Sequence, residues 1–205
     1  MKVLDLTMDI DNRTPVFPGD PKQEIRQLAT IKENGWSEKR LTFNSHFSTH
    51  IDAPFHMMEN GKKLDDFPLE KFIGEAVVID ARERQLIELT KPSLDKIKKG
   101  DIVFFCTGHT DRAYTKEFFK NNPVITKETA EELIKKGVKI VGLDSYTPDN
   151  EPYEVHKMLF KHDILIIENL VNLKQLIGKR FECIVLPLKI KDADGAPCRV
   201  VARLP

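Results

Sequence analysis

The chain has 205 residues, room for one hydrophobic core and short of the ~250–300 residues at which cores divide. Its 32 lysines and arginines balance 32 aspartates and glutamates, so there is no overall basic field to draw in nucleic acid or an anionic membrane. Three cysteines, Cys106, Cys183 and Cys198, with no CxxC pair, argue against a disulfide framework or a thiolate zinc site and read as reduced, buried thiols.

From the amino terminus, MKVLDLTMDIDNRTP alternates apolar and acidic residues instead of placing an apolar run behind a basic start, so no secretory signal is read there. Apolar runs such as 164–167 are far shorter than the ~20 residues that cross a bilayer. A soluble cytoplasmic protein is expected. Short apolar runs predict strands at 2–6, 75–79, 102–106, 139–143, 164–167 and 183–187. Residues 126–137 predict a helix, with Thr126 as cap, acidic residues early, lysines late and Gly137 at the stop. Shorter helices are expected at 93–99, 152–161 and 172–177. Strands alternating with helices predict a mixed α/β (α+β) domain over residues 1–205, with no linker, repeat or low-complexity tract dividing it.

Residues 46–56, HFSTHIDAPFH, hold three of the six histidines, where composition would place roughly a third of one. A helix fails here: Asp52 would rotate off the face shared by His46 and His50, Phe47, Thr49 and Ile51 favour strands, and Pro54 disfavours a helical residue before it. As a strand, Thr42, Asn44, His46, Ser48, His50 and Asp52 share one face, while Leu41, Phe43, Phe47 and Ile51 share the other. Ala-Pro should then end the ladder and let His56 turn back toward the polar face. Imidazoles and a carboxylate converging on one point suit zinc, manganese or iron(II); a polar strand face open to water is the alternative. Of the remaining histidines, His156 by itself reads as a helix-surface residue. Glu168, closing an apolar run, needs a cation, a partner or a path to solvent.

HFSTHIDAPFH resembles the signature H-x-G-T-H-x-D-A-P-x-H of the cyclase family of metal-dependent hydrolases, which includes bacterial kynurenine formamidases; Ser48 stands where glycine is usual. The similarity continues through FPGDP (17–21), TGH (107–109), NPVIT (122–126), GLDSYTPD (142–149), IENLVNL (167–173) and DGAPCRVVA (194–202). TGH carries His109 where tryptophan is common, and Thr147 stands where serine is common. The resemblance implies a central or small barrel-like sheet flanked by helices, of the swivelling β/β/α kind. It implies two divalent ions, zinc first and manganese as the alternative. His46, His50 and Asp52 would hold one ion, with Asp52 bridging to a second that His156 and Glu168 complete, and His56 would be the acid/base. The activity implied is an arylformamidase hydrolysing N-formyl-L-kynurenine to formate and L-kynurenine with metal-activated water. A homodimer or homotetramer is implied as well.

Side chains expected to wall an aromatic pocket are Phe17, Phe47, Phe55 and Tyr146, with His109 near it but not a ligand and His162 exposed. Ser45, Ser48 and Ser145 lie in no G-x-S-x-G elbow, and the glycines form no phosphate loop, so neither a covalent serine mechanism nor a nucleotide cofactor is expected. Two competing readings remain: an isatin hydrolase-like enzyme opening cyclic amides or lactones, and a non-catalytic metal-dependent small-molecule-binding protein. Ser48, placed to crowd a metal or to bind its water, is the feature that raises the second.

Overall fold

The protein is described here from a computed structural model, residues 1–204. Among these residues the strands are β1 (Lys2–Asp5), β2 (Glu24–Ala29), β3 (Glu38–Thr42), β4 (His50–Asp52), β5 (Ile73–Asp80), β6 (Leu86–Ile87), β7 (Ile102–Cys106), β8 (Val124–Ile125), β9 (Ile140–Leu143), β10 (Leu165–Glu168), β11 (Arg180–Pro187) and β12 (Gly195–Leu204). The α-helices are α1 (Ile31–Asn34), α2 (Lys91–Leu94), α3 (Lys127–Lys136) and α4 (Glu154–Phe160).

Seven strands close on themselves in the order β12-β11-β5-β7-β9-β10-β4, with β4 pairing back onto β12 and β1 extending along the remaining edge of β12. The barrel-like sheet is therefore mixed: β5, β7, β9 and β10 run parallel, and β11, β12, β4 and β1 pair antiparallel. Parallel strands buried on both faces read as unbroken apolar runs, which is why β7, β9 and β10 stand out in the sequence. Alternation divides each strand between two cores. Ile102, Phe104 and Cys106 of β7 point into the barrel with Ile51, Ile140 and Ile167, whereas Val103 and Phe105 point outward against Leu133 of α3 and Leu159 of α4. Gly142 of β9 makes room for the inner core, because a Cβ there would lie 2.7 Å from the Phe104 ring.

The caps of α3 are those expected: the Thr126 side chain accepts from Thr129 N–H, and Gly137 adopts the left-handed conformation. Other boundaries differ. The stretch at 93–99 is helical only where the four-residue turn α2, with Pro92 near its start, reaches Leu94, and 172–177 forms a 3₁₀ turn at Leu173–Leu176. The β2–β3 hairpin has no signal in the sequence because both strands are largely solvent-exposed and lack the alternation that a half-buried strand shows.

The largest correction concerns residues 42–52, which are not one strand. β3 ends at Thr42 and β4 begins at His50, and between them Ser48 takes a left-handed φ of 59° that breaks the period of two. The segment is bent, so His46 arrives from a loop while His50 and Asp52 arrive from β4.

Candidate metal centre

Asp52 is fully buried at the end of β4, where Ile51 between the two polar residues enters the barrel core. Antiparallel pairing of β4 with β10 sets Glu168 directly opposite His50. Helix α4 buries the stripe Val155, His156, Leu159 and Phe160, so His156 points inward, not to the helix surface. After Ala53, the 3₁₀ turn Pro54–His56 returns the chain, and the His56 ring lies 3.9 Å from that of His46, centroid to centroid. All six side chains expected at the site thus converge.

They form two overlapping groups of donors, His46 with His50 and Asp52, and Asp52 with His156 and Glu168. His50 Nε2 is 3.4 Å from both Asp52 Oδ1 and Glu168 Oε2, and His156 Nε2 is 3.5 Å from Glu168 Oε1. Two donors on one tetrahedral ion, each ~2.0–2.1 Å from it, stand roughly 3.4 Å apart. The outer nitrogens are also committed. His50 Nδ1–H donates to the Ser48 carbonyl (2.9 Å), His156 Nδ1–H donates to Asp149 Oδ1, and His46 Nε2 meets Asp194 Oδ2 (2.8 Å) while its Nδ1 faces Asp52 Oδ1 (2.7 Å). In the neutral ring such outer partners select the tautomer whose lone pair points inward, the arrangement that metal-binding histidines require. Donor types and the 3.4–3.5 Å spacings fit divalent ions, whereas His46 Nδ1 and Asp52 Oδ1, at 2.7 Å, hydrogen-bond each other directly.

The neighbouring carboxylates hold protons on these rings, protons that a cation would displace on binding. Burial disfavours the charged form of His46, yet the Asp52 charge and hydrogen bonds with Asp194 and Asp52 lift its pKa to about 10. At His156, burial is likewise outweighed by bonds to Asp149 and Glu168, which raise it to about 9. Burial opposes ionisation of Asp52, but His46 and His50 hold its pKa below the usual carboxylate range. His56 goes the other way: burial, with the neighbouring imidazoles His46 and His156, outweighs Asp52 and Glu168 and lowers its pKa. It alone among the four imidazoles of the site is pushed toward the neutral form.

These groups floor a cavity of about 430 Å³ walled by Phe17, Phe118, Phe119, Tyr146 and Tyr153. Phe119 packs edge-on to Phe17 (centroids 5.8 Å) and to Tyr146 (5.1 Å), whose hydroxyl donates to Asn122 Oδ1 (2.9 Å). Of the expected walls, Phe17 and Tyr146 are in place. Phe47 is instead buried on Phe43, and Phe55 is exposed beneath the Lys63 ammonium. His109 is buried behind the wall, its Nε2–H donating to the Phe118 carbonyl (2.6 Å) while Arg112 donates to its Nδ1 (3.0 Å), so it props the loop that carries Phe118 and Phe119. His162 is exposed.

The family model described as "Putative cyclase" matches residues 4–150. Kynurenine formamidases of Bacillus anthracis and Bacillus mycoides (strain KBAB4) are 32% and 33% identical over 98% of this chain, covering 97% and 96% of their own lengths. The chain belongs to the cyclase family. Among solved structures, one described as a potential metal-dependent hydrolase with cyclase activity is 30% identical, with a TM-score of 0.81, over 100% of this chain and 99% of its own. Isatin hydrolase A from Labrenzia aggregata, bound to benzyl benzoate, is 26% identical (TM-score 0.85, 98% and 93% covered). An isatin hydrolase bound to the product analogue thioisatinate shares the fold at a TM-score of 0.91 and 23% identity, over 100% of this chain and 92% of that one.

The glycine that the signature leads one to expect at position 48 has a physical reason: φ is positive there, and this conformation turns the carbonyl toward His50 Nδ1–H and Asn169 Nδ2–H. The serine hydroxyl donates to the Met8 carbonyl (2.9 Å), so it is already committed to the backbone. Sequence reasoning missed Asp149, Asp194, Phe118, Phe119 and Tyr153. The two aspartates lie in stretches that carry the family resemblance, GLDSYTPD and DGAPCRVVA, but no local spacing ties either one to a histidine.

Proposed function

We propose that this chain, a single domain over residues 1–205, is a metal-dependent hydrolase of the arylformamidase type that cleaves N-formyl-L-kynurenine to formate and L-kynurenine. Its ligands would be His46, His50 and Asp52 for one divalent ion and Asp52, His156 and Glu168 for the other, zinc first and manganese as the alternative. The observation that carries this reading is the sharing of Asp52 between two donor groups, with the imidazole of His56 beside them under an aromatic-walled cavity. The Bacillus kynurenine formamidases, similar over nearly their whole length, support the substrate.

Ions bound there supply a Lewis acid for the carbonyl and lower the pKa of water toward neutrality. The chain's own residues do the rest. Phe17, Phe119 and Tyr146 stack around an aryl ring and exclude water from it. His56, on the rigid Pro54–His56 turn, takes a proton and returns it to the departing nitrogen. Replacing His56 with alanine should lower turnover of N-formylkynurenine by about 10²–10⁴-fold while leaving bound metal in place; undiminished turnover removes His56 from the reaction.

A cyclic-amide hydrolase is the second reading, favoured by the likeness to isatin hydrolase A. The same apparatus would open a ring in place of a formamide, and parallel kinetics on isatin and N-formylkynurenine decide between them. A purely binding role loses its motive, since the Ser48 hydroxyl is spent on Met8. A cytoplasmic homodimer or homotetramer is part of the proposal; among the described residues no helix is long and apolar enough to cross a membrane.

A further inference from the structure

The stretch DGAP at the head of β12 has no place in the mechanism above, yet its first two residues enclose His46. Asp194 Oδ2 lies 2.8 Å from His46 Nε2 and accepts from Ser45 Oγ at 3.3 Å. Once neutral, a ring that donates Nε2–H to a carboxylate carries its lone pair on Nδ1, the nitrogen facing Asp52. Gly195 meets the other side of the same ring. A Cβ built there would stand 2.8 Å from His46 Cε1 and 2.9 Å from the Ile51 carbonyl oxygen, closer than real Cβ contacts come. Gly195 has no positive φ, so the glycine is required for space and not for backbone conformation.

Both residues are held in register with the candidate ligands. Ala53 N–H donates to the Asp194 carbonyl (2.9 Å), and Gly195 pairs across the ladder with Asp52. The Asp194 carboxylate is itself partly exposed at 38%, so its bond to His46 is not a means of hiding a buried charge. We infer that Asp194 and Gly195 form the seat of His46, the carboxylate setting its tautomer and the bare glycine its ring position, and that this seat sets cation affinity at the His46, His50 and Asp52 group. The inference rests on the reading of His46 as a ligand. Asp194 is thus a positioning residue. His56 Nδ1 lies 3.9 Å from the same carboxylate oxygen, so His46, His56 and Asp194 also form a three-donor group in which Asp194 would be a ligand itself.

Metal-free wild type, Asp194→Ala, Asp194→Asn and Gly195→Ala are titrated with zinc chloride against a chromophoric chelator, with the number of ions bound counted and metal-free melting recorded. The seat predicts an unchanged number of ions, an affinity for the weakened ion about 10–100-fold lower in Asp194→Ala, and partial recovery in Asp194→Asn, whose amide oxygen still accepts from Nε2–H. Gly195→Ala should also weaken binding, although it removes no polar group. Wild-type affinity in Asp194→Ala, or loss of one whole ion with the other unaffected, overturns the seat. So does a weakened affinity accompanied in both Asp194 variants by loss of metal-free folding. If the wild type itself binds no zinc, and no manganese in a parallel titration with manganese chloride, it is the ligand reading under the proposed function that fails.

Discussion

Asp149 offers a test in which a single atom exchange separates tautomer from fold. Its Oδ2 accepts from the backbone N–H of Val155 (2.7 Å) and His156 (3.4 Å) at the start of α4, and its Oδ1 accepts from His156 Nδ1–H. In Asp149→Asn the amide oxygen can keep the backbone donors, which places the NH₂ group against His156 Nδ1. Two donors cannot face each other, so the neutral imidazole keeps its proton on Nε2, the nitrogen 3.5 Å from Glu168, and has no inward lone pair to offer a cation. Loss of an outer partner of this kind lowers metal affinity about 10–100-fold, equivalent to about 1.4–2.7 kcal/mol. Because the helix start stays satisfied, metal-free Asp149→Asn should melt within a few degrees of wild type. Asp149→Ala also leaves the Val155 N–H unpaired in a buried setting, costing about 1–3 kcal/mol. At ~2–4 °C per kcal/mol for a chain of this size, that lowers its melting temperature by about 2–12 °C. Zinc titration against a chelator and thermal melts of the metal-free proteins read the two effects separately. Zinc binding by Asp149→Asn as tight as wild type, or melting as low as that of the alanine variant, would refute the reasoning.

Ser48→Gly should change stability by no more than about 1 kcal/mol in urea unfolding, because relief of the left-handed backbone is offset by the lost bond to the Met8 carbonyl; zinc affinity should not move, since the carbonyl facing His50 remains. Gly142→Ala drives a methyl into the Phe104 ring and the Leu170 side chain and should cost about 1–3 kcal/mol, read as a lower urea midpoint at unchanged slope. Burial, with repulsion from Lys139 and Lys62, outweighs Asp163 and depresses Lys71 to about 8 from its ordinary 10.5. Between those values the unfolded chain holds more protons on Lys71 than the folded one, so this group makes stability rise with pH through that window and leaves it flat below. The difference between wild-type and Lys71→Met stability profiles should show that rise; parallel profiles would contradict it.

Much of the scaffold is legible from local pattern. The runs that became β7, β9 and β10 are apolar on both faces because both faces are buried, and α3 carries its own start and stop in Thr126 and Gly137. β12 is not read as a strand, because Gly195 and Pro197 mask its start, yet Arg199 and Arg203 alternate with buried Cys198, Val200 and Ala202 and the strand closes the barrel by pairing with both β11 and β4. The polar segment before β4 was legible in composition and misleading in period, since one left-handed residue at Ser48 cancels the alternation on which a strand reading rests.

The sequence alone determined the chemistry available: three imidazoles and an aspartate within eleven residues, a glutamate closing an apolar run, and a strand-helix order that calls for a layered sheet. Which of those groups meet was decided by tertiary structure. His50 faces Glu168 only because β4 and β10 pair antiparallel across more than a hundred residues, and His156 turns inward only because α4 packs its apolar stripe on the outside of the barrel. Asp149 and Asp194 acquire their roles the same way. Side-chain type is a local property of the chain, whereas the bond an imidazole makes through its far nitrogen depends on which distant backbone the closed sheet brings beside it.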